Sequence, residues 1–271
     1  MAKTIFLVSI LLLSFTPDAF TQSLRKKIDV EEIIICSHRA AMSPDIPENS
    51  LYSMQRSKAA GIDMHEIDLA ESKDGILYLL HDKTLERTTE GSGFLTEKNS
   101  MELDKIKLKG LEETLPRFEH VLEFAKENEI FLMLDVKEAS LKKVISLVES
   151  FGMLEQIMIL TFNEERAMEA LELPQQFLIS VLVTKEEDLD FYLCKTDEPY
   201  YLIAYINQNA SPTLYQKTTE MGLPIVTDAM GTPDQDALRD GVKVYQEFID
   251  LRKPSVLVTD YPISLRAALE D

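Results

Sequence analysis

Eight short apolar runs recur along this chain with helix-like stretches between them, and no other feature constrains the fold so much. They occupy residues 32–37, 64–70, 131–137, 157–162, 177–183, 201–206, 223–227 and 255–260. Runs that are apolar throughout suit strands covered on both faces, as in a parallel sheet, where the crossover helices do the covering. The intervening stretches carry helix end signals. Ser50 is placed to cap a helix that stops at Gly61. Ser211 followed by Pro212 reads as an N-cap with proline in the first turn, Gly222 suits the end of that helix, and Thr232-Pro233 is expected to open another helix in the same way. Eight strands separated by helices predict a closed (β/α)8 TIM barrel. A doubly wound open sheet is the rival, and strand count alone does not decide between them.

One extra strand breaks the alternation. Residues 76–80 follow run 64–70 after only five residues, too few for a crossover helix. The pair is expected to form an antiparallel β-hairpin with a Lys-Asp-Gly turn. With Lys73 and Asp74 at the turn centre, Glu66 faces His81 and Asp68 faces Leu79; a one-residue change of turn still leaves His81 beside the acidic pair. Residues 84–114, rich in Thr, Gly, Glu and Lys, read as a small surface excursion over one end of the barrel.

Residues 1–21 have the layout of a secretory signal peptide: Lys3, an apolar run from Ile5 to Phe15, then a polar segment. A cut after Thr21 places Ala19 three residues before it; a retained membrane anchor is the alternative, although the run is short of the ~20 residues a membrane span needs. Residues 22–271 are then expected to form one domain, exported to a periplasmic or extracellular space, with no stable membrane insertion after cleavage. The formal net charge is −19. Lys3 and Asp18 cancel, so cleavage leaves it unchanged. Such a surface disfavours nucleic acid and anionic lipid as partners. A site for an anion must therefore bring its own positive charge. Two cysteines, Cys36 and Cys194, make no disulfide framework.

Of four histidines, His38 and His81 each close an apolar run and are each followed by a charged residue, Arg39 and Asp82. Strand ends are where barrels carry catalytic groups, and two imidazoles suit general acid–base work. Singly, each is better read as an ordinary histidine; the shared context changes that. His65 alternates with Glu66 and so faces the other way, and His120 falls in a helix; both read as structural. Glu66 and Asp68, two apart on one strand, point the same way and repel unless a cation or proton compensates. Asp135 ends another apolar run and completes an all-oxygen set for a divalent cation such as Ca2+ or Mg2+. The competing reading has these acids capping helices or pairing with Lys and Arg. Lys137 shares Asp135's face, and either pairs with it or holds a phosphate oxygen.

In order along the chain, His38-Arg39-Ala40, Pro47-Glu48-Asn49-Ser50, Glu66-Ile67-Asp68-Leu69, Ser72-Lys73-Asp74-Gly75, His81-Asp82-Lys83-Thr84-Leu85-Glu86-Arg87-Thr88-Thr89-Glu90-Gly91-Ser92-Gly93, Leu115-Pro116 and Thr259-Asp260-Tyr261-Pro262 resemble the motifs of the glycerophosphodiester phosphodiesterase family. The resemblance implies a barrel with one divalent cation that hydrolyses a glycerophosphodiester, its small-molecule partner, to an alcohol and glycerol 3-phosphate. It implies His38 and His81 as the acid–base pair, Glu66, Asp68 and Asp135 as metal ligands, and Arg39 and Lys137 on the phosphate. Asn49 and Glu48 would line the site or support it. Three departures stand out. Ala40 replaces a glycine. Asp135 replaces a glutamate and is one methylene shorter. The stretch 225–228 stands where relatives carry a Trp-Thr-Val-Asn, and this chain has no tryptophan; Phe162 or a tyrosine is left to supply an aromatic wall. The rivals are a phosphoinositide or sphingomyelin phospholipase on a similar barrel, and an inactive phosphodiester-binding relative. The first lacks long apolar loops here, and the second would have lost a histidine or carboxylate.

Overall fold

Eight parallel strands close on themselves in the computed structural model, which describes residues 22–31, 33–174 and 176–270. The expected signal peptide, residues 1–21, lies outside them. The barrel strands are β1 (Ile34–Ser37), β2 (Met64–Glu71), β4 (Phe131–Glu138), β5 (Ile157–Thr161), β6 (Leu178–Leu182), β7 (Leu202–Tyr205), β8 (Ile225–Asp228) and β9 (Val256–Thr259). They pair in chain order, and β1 bonds both β2 and β9, which closes the cylinder and excludes the open-sheet rival. The ninth strand, β3 (Leu77–Leu79), is antiparallel to β2 and outside the cylinder.

Period-two alternation sorts the side chains. Ile34 and Cys36, Met64, Phe131 and Met133, Met158 and Leu160, Ile203 and Tyr205, and Val256 and Val258 form one buried apolar cluster, the barrel interior. Helix α1 (Leu24–Val30) adds Leu24 and Ile28 to it and so plugs the cylinder's lower end; Ser23 caps this helix through the Lys26 N–H. The alternate residues, among them Ile67, Leu69, Leu132, Leu134, Ile157 and Ile159, pack outward against helices such as Phe118–Glu127 and Leu141–Ser150. His65, on the outer face of β2, is fully buried, and burial depresses its pKa to about 3. His120 is exposed on its helix.

Helix α2 (Leu51–Ala59) starts at Ser50, whose hydroxyl accepts the Ser53 N–H, and Ser211 caps the helix Pro212–Glu220 through Leu214, as the sequence predicts. Thr232 is different. It is the first helical residue of Thr232–Asp240, and Gly231, at φ 79°, holds the cap position without a side-chain bond. Both cysteines are free thiols.

The hairpin register differs by one residue from the two-residue turn expected from Lys73-Asp74. Leu69, not Asp68, faces Leu79, and the Asp68 carbonyl accepts the Leu80 N–H. The reason is a three-residue loop, Lys73-Asp74-Gly75. Gly75 takes φ 86°, the left-handed region that glycine enters at no steric cost. Ser72 anchors both sides: its N–H donates to the Ile76 carbonyl and its hydroxyl accepts the Ile76 N–H. The excursion after β3 is folded, with a small core that includes Tyr78, Leu85, Leu95, Leu103, Leu108 and Leu115. Gly91 is required there by packing, since a Cβ would lie 2.8 Å from Ile106.

Candidate active site

Following each interior series upward leads to polar side chains at the C-terminal ends of the strands, the end of a barrel where loops build sites. Above Ile34 and Cys36 stands His38. Glu66 and Asp68 follow Met64 on β2, Asp135 and Lys137 follow Met133 on β4, and Asp260 follows Val258 after β9. His81 enters from the end of the hairpin. A cleft of about 150 Å³ is lined by His38, His81, Glu66, Asp68, Asp135 and Lys137, together with apolar groups from the opposite wall.

Asp68 and Asp135 are direct neighbours in the parallel ladder of β2 and β4. With Glu66 they bring one carboxylate oxygen each to within 4.8 Å of one another, and all three are buried. One oxygen of each is held by a protein donor: Glu66 Oε2 by the Arg39 backbone N–H at 2.8 Å, Asp68 Oδ2 by Asn49 Nδ2 at 2.8 Å, and Asp135 Oδ2 by Lys137. Lys137 Nζ also lies 3.5 Å from Asp68. Burial first, then the charge of Asp68, pushes the Glu66 carboxyl well above the ordinary range, and burial raises Asp135 against the pull of Lys137. For Lys137 burial acts downward, but Asp135, Asp68 and Glu66 outweigh it and hold the ammonium above its usual pKa. A buried all-oxygen cradle with more negative than positive charge fits a hard divalent cation.

Each histidine has its own carboxylate. His38 Nδ1 is 2.7 Å from Asp260 Oδ1, and His81 Nδ1 is 2.7 Å from Asp82 Oδ1. Bonding at Nδ1 fixes the ring and leaves Nε2 for exchange with a ligand. The motifs that contain Asp82 and Asp260 do not by themselves give these two acids a task. The signal was there: Asp260 ends its apolar run as His38 ends its own.

Arg39, Glu48 and Asn49 flank the cleft rather than line it. Arg39 and Ala40 take φ of 51° and 54° and Asn49 takes 51°, so the loop after β1 turns back sharply over the strand ends. Ala40 is fully buried in this conformation. The Arg39 guanidinium pairs with Glu48 at 3.3 Å; its Nε, 3.8 Å from Asp68, is buried with no hydrogen-bond partner. Asn49 spans Asp68, donating to the carboxylate and accepting the Asp68 N–H at 3.1 Å, so it fixes that acid from behind.

The aromatic wall comes from Phe162 and Tyr205, edge to face with centroids 5.3 Å apart. Tyr205 donates to Asp228 at 2.7 Å, and Gln208 donates to the other Asp228 oxygen at 2.7 Å. Burial raises the Asp228 carboxyl above its usual range despite both donors. The sequence leaves the tyrosine of this wall unnamed and gives Asp228 no place in the site; each continues an interior series by two positions, from Ile203 and Val226.

Fold and cleft together define a (β/α)8 barrel with two histidines and a three-carboxylate cradle at its mouth. The model of the glycerophosphoryl diester phosphodiesterase family matches residues 38–191, more than half of the chain. The protein belongs to that family. A glycerophosphodiester phosphodiesterase of Caldanaerobacter subterraneus subsp. tengcongensis is 24% identical over 181 residues, 62% of this chain and 70% of the relative. Among solved structures, a glycerophosphoryl diester phosphodiesterase from Parabacteroides distasonis superposes with a TM-score of 0.80 at 21% identity, covering 92% of each chain. An Oleispira antarctica phosphodiesterase, solved in complex with the product sn-glycerol-3-phosphate, has a TM-score of 0.71 at 20% identity and covers 88% of this chain and 97% of its own. At these identities the structural likenesses speak for the fold.

Proposed function

We propose that this protein hydrolyses glycerophosphodiesters to an alcohol and glycerol 3-phosphate in the cleft at the barrel mouth, with one divalent cation held by Glu66, Asp68 and Asp135. The observation that carries this reading is the meeting of two carboxylate-bonded histidines and a three-carboxylate cradle in a single cleft. A bound Ca2+ or Mg2+ would polarise the phosphoryl oxygen and neutralise the clustered acids. One histidine takes the proton of the attacking group at Nε2 while the other gives a proton to the departing alcohol oxygen, and Asp260 and Asp82 hold the two rings for this. Lys137 meets phosphate charge from the cradle side, and Arg39, flanking the cleft beside Asp68, adds a second positive charge. Together they counter the −19 charge of the chain for an anionic substrate. Phe162 and Tyr205 cover the apolar part of the ligand. Export, directed by residues 1–21, belongs to the same reading; N-terminal sequencing of the exported protein should begin at Gln22, and a start at Met1 would oppose it.

The test is hydrolysis of glycerophosphodiesters with choline, ethanolamine and glycerol head groups, with the phosphorylated product identified. Release of glycerol 3-phosphate from at least one supports the reading. Its absence from all of them, with turnover of a phospholipid instead, transfers the site to the phospholipase reading.

A further inference from the structure

Between Asp82, which holds His81, and Glu48, which holds Arg39, stands one side chain. Arg87 Nε and Nη2 donate to Asp82 Oδ2 and Oδ1 at 2.6 and 3.0 Å, and Nη1 and Nη2 donate to Glu48 Oε2 and Oε1 at 2.9 and 2.7 Å. Four charge-assisted bonds from one guanidinium to two carboxylates use its planar fork on both sides. The result is a chain of charges, His81–Asp82–Arg87–Glu48–Arg39, from a histidine of the cleft to the arginine of the β1 loop.

Nothing in the local chain requires this. Arg87 lies 39 residues from Glu48 and is carried to it by the folded excursion. Leu85 is fully buried there, its carbonyl accepts the Thr89 N–H and hydroxyl, and its N–H donates to Gly93. An exposed ion pair is ordinarily worth little, and the Arg87 side chain is 45% exposed. Here, however, both acids respond. Arg87 holds the Asp82 carboxyl far below the usual carboxylate range, and burial pushes Glu48 upward but Arg87 and Arg39 more than reverse it. Both acids are thus held in the charged form beside the residues they bond.

We propose that Arg87 is a positioning residue that couples the two sides of the site, aiming His81 through Asp82 and Arg39 through Glu48. Its kinetic consequence rests on the function proposed above; its structural consequence does not. Arg87→Met should lower kcat roughly tenfold to a hundredfold, the cost of a misplaced catalytic group, through His81, and should raise KM through Arg39. Arg87→Lys should restore little, since an ammonium cannot fork to both acids. Glu48→Gln added to Arg87→Met should raise KM hardly further, because the two act on Arg39 in series.

The decisive readout is independent of turnover. With four histidines in the chain, 15N-labelled imidazole signals can be resolved, and His81 assigned by His81→Gln. In Arg87→Met and in the milder Arg87→Lys, the His81 ring signals should shift or broaden while those of His38, held by Asp260, stay in place. Millimolar guanidinium, able to reach so exposed a position, should move the His81 signals of Arg87→Ala back toward wild type. Unchanged His81 signals in Arg87→Met and Arg87→Lys overturn the proposal, even if kcat falls, since Arg87 would then serve only the loop. A wild type inactive on every glycerophosphodiester counts against the function, while the imidazole signals still decide the role of Arg87.

Discussion

Asp260→Asn removes one charge and almost no volume from the His38 pair, so it isolates what that charge does. Oδ1 stands 2.7 Å from the ring nitrogen. When the imidazole is protonated, opposite charges at that distance attract by about 1.5 kcal/mol in bulk water and about 6 kcal/mol at an effective dielectric constant of 20. His38 and Asp260 side chains are 21% and 31% exposed, which places the pair between those limits; losing the group that positions an acid–base histidine costs about a hundredfold in rate. The amide also offers an N–H toward Nδ1, which favours the wrong tautomer for a histidine that takes a proton at Nε2. The fold should hold, because the Asp234 carboxylate grips Asp260 through its backbone N–H. Steady-state release of glycerol 3-phosphate should show kcat down about a hundredfold with KM little changed, alongside an unaltered melting curve. A kcat within twofold of wild type, or a loss confined to KM, would refute the argument that Asp260 orients His38.

Two further predictions concern stability. His65 is neutral and buried, with its pKa depressed to about 3. The unfolded chain therefore binds a proton that the folded one refuses, so the stability this residue contributes is present above about pH 6.5 and fades as pH falls toward about 3, by about 1.4 kcal/mol per unit. His65→Leu should flatten that stretch of the pH–stability curve relative to wild type; parallel curves would mean the imidazole is hydrated or charged in the fold. Gly61 takes φ 81°, and a Cβ there would meet Arg266 Nη1, which donates to the Ala60 carbonyl at the end of α2. Gly61→Ala should cost about 1–2 kcal/mol for the left-handed backbone, with more from the displaced arginine; denaturant melts that match wild type would contradict it.

The eight strands, and the face each candidate side chain on them takes, were legible in the sequence because period-two alternation survives without knowledge of the partners. Glu66 and Asp68 share a face by spacing alone, and His65 is excluded from it by the same rule. What spacing does not carry is closure. Asp260 meets His38 across 222 residues of chain because β9 bonds β1, and Tyr205, Asp228 and Gln208 converge only across β7, β8 and the loops above them. The Lys-Asp-Gly turn was legible, but the strand spacing leaves its register open by one residue, which Gly75 settles by taking φ 86° inside a three-residue loop. Arg87 sits in a stretch that reads as irregular surface, and its purpose appears only when the excursion folds onto Glu48. Asn49 was read from the motif as lining or supporting the site, and both ends of its amide are taken up by Asp68.

The central claim is that glycerophosphodiester hydrolysis runs through a cation in the Glu66–Asp68–Asp135 cradle. Its most direct test is to strip the protein with a chelator and titrate Ca2+ and Mg2+ back into wild type, Asp135→Asn and Asp135→Glu while measuring glycerol 3-phosphate release. The stripped wild type should be inactive and recover with metal. Asp135→Asn should need a higher metal concentration or stay inactive, and Asp135→Glu should recover. Full activity of the stripped wild type would contradict the claim, and recovery of Asp135→Asn at the wild-type metal concentration would remove Asp135 from the cradle.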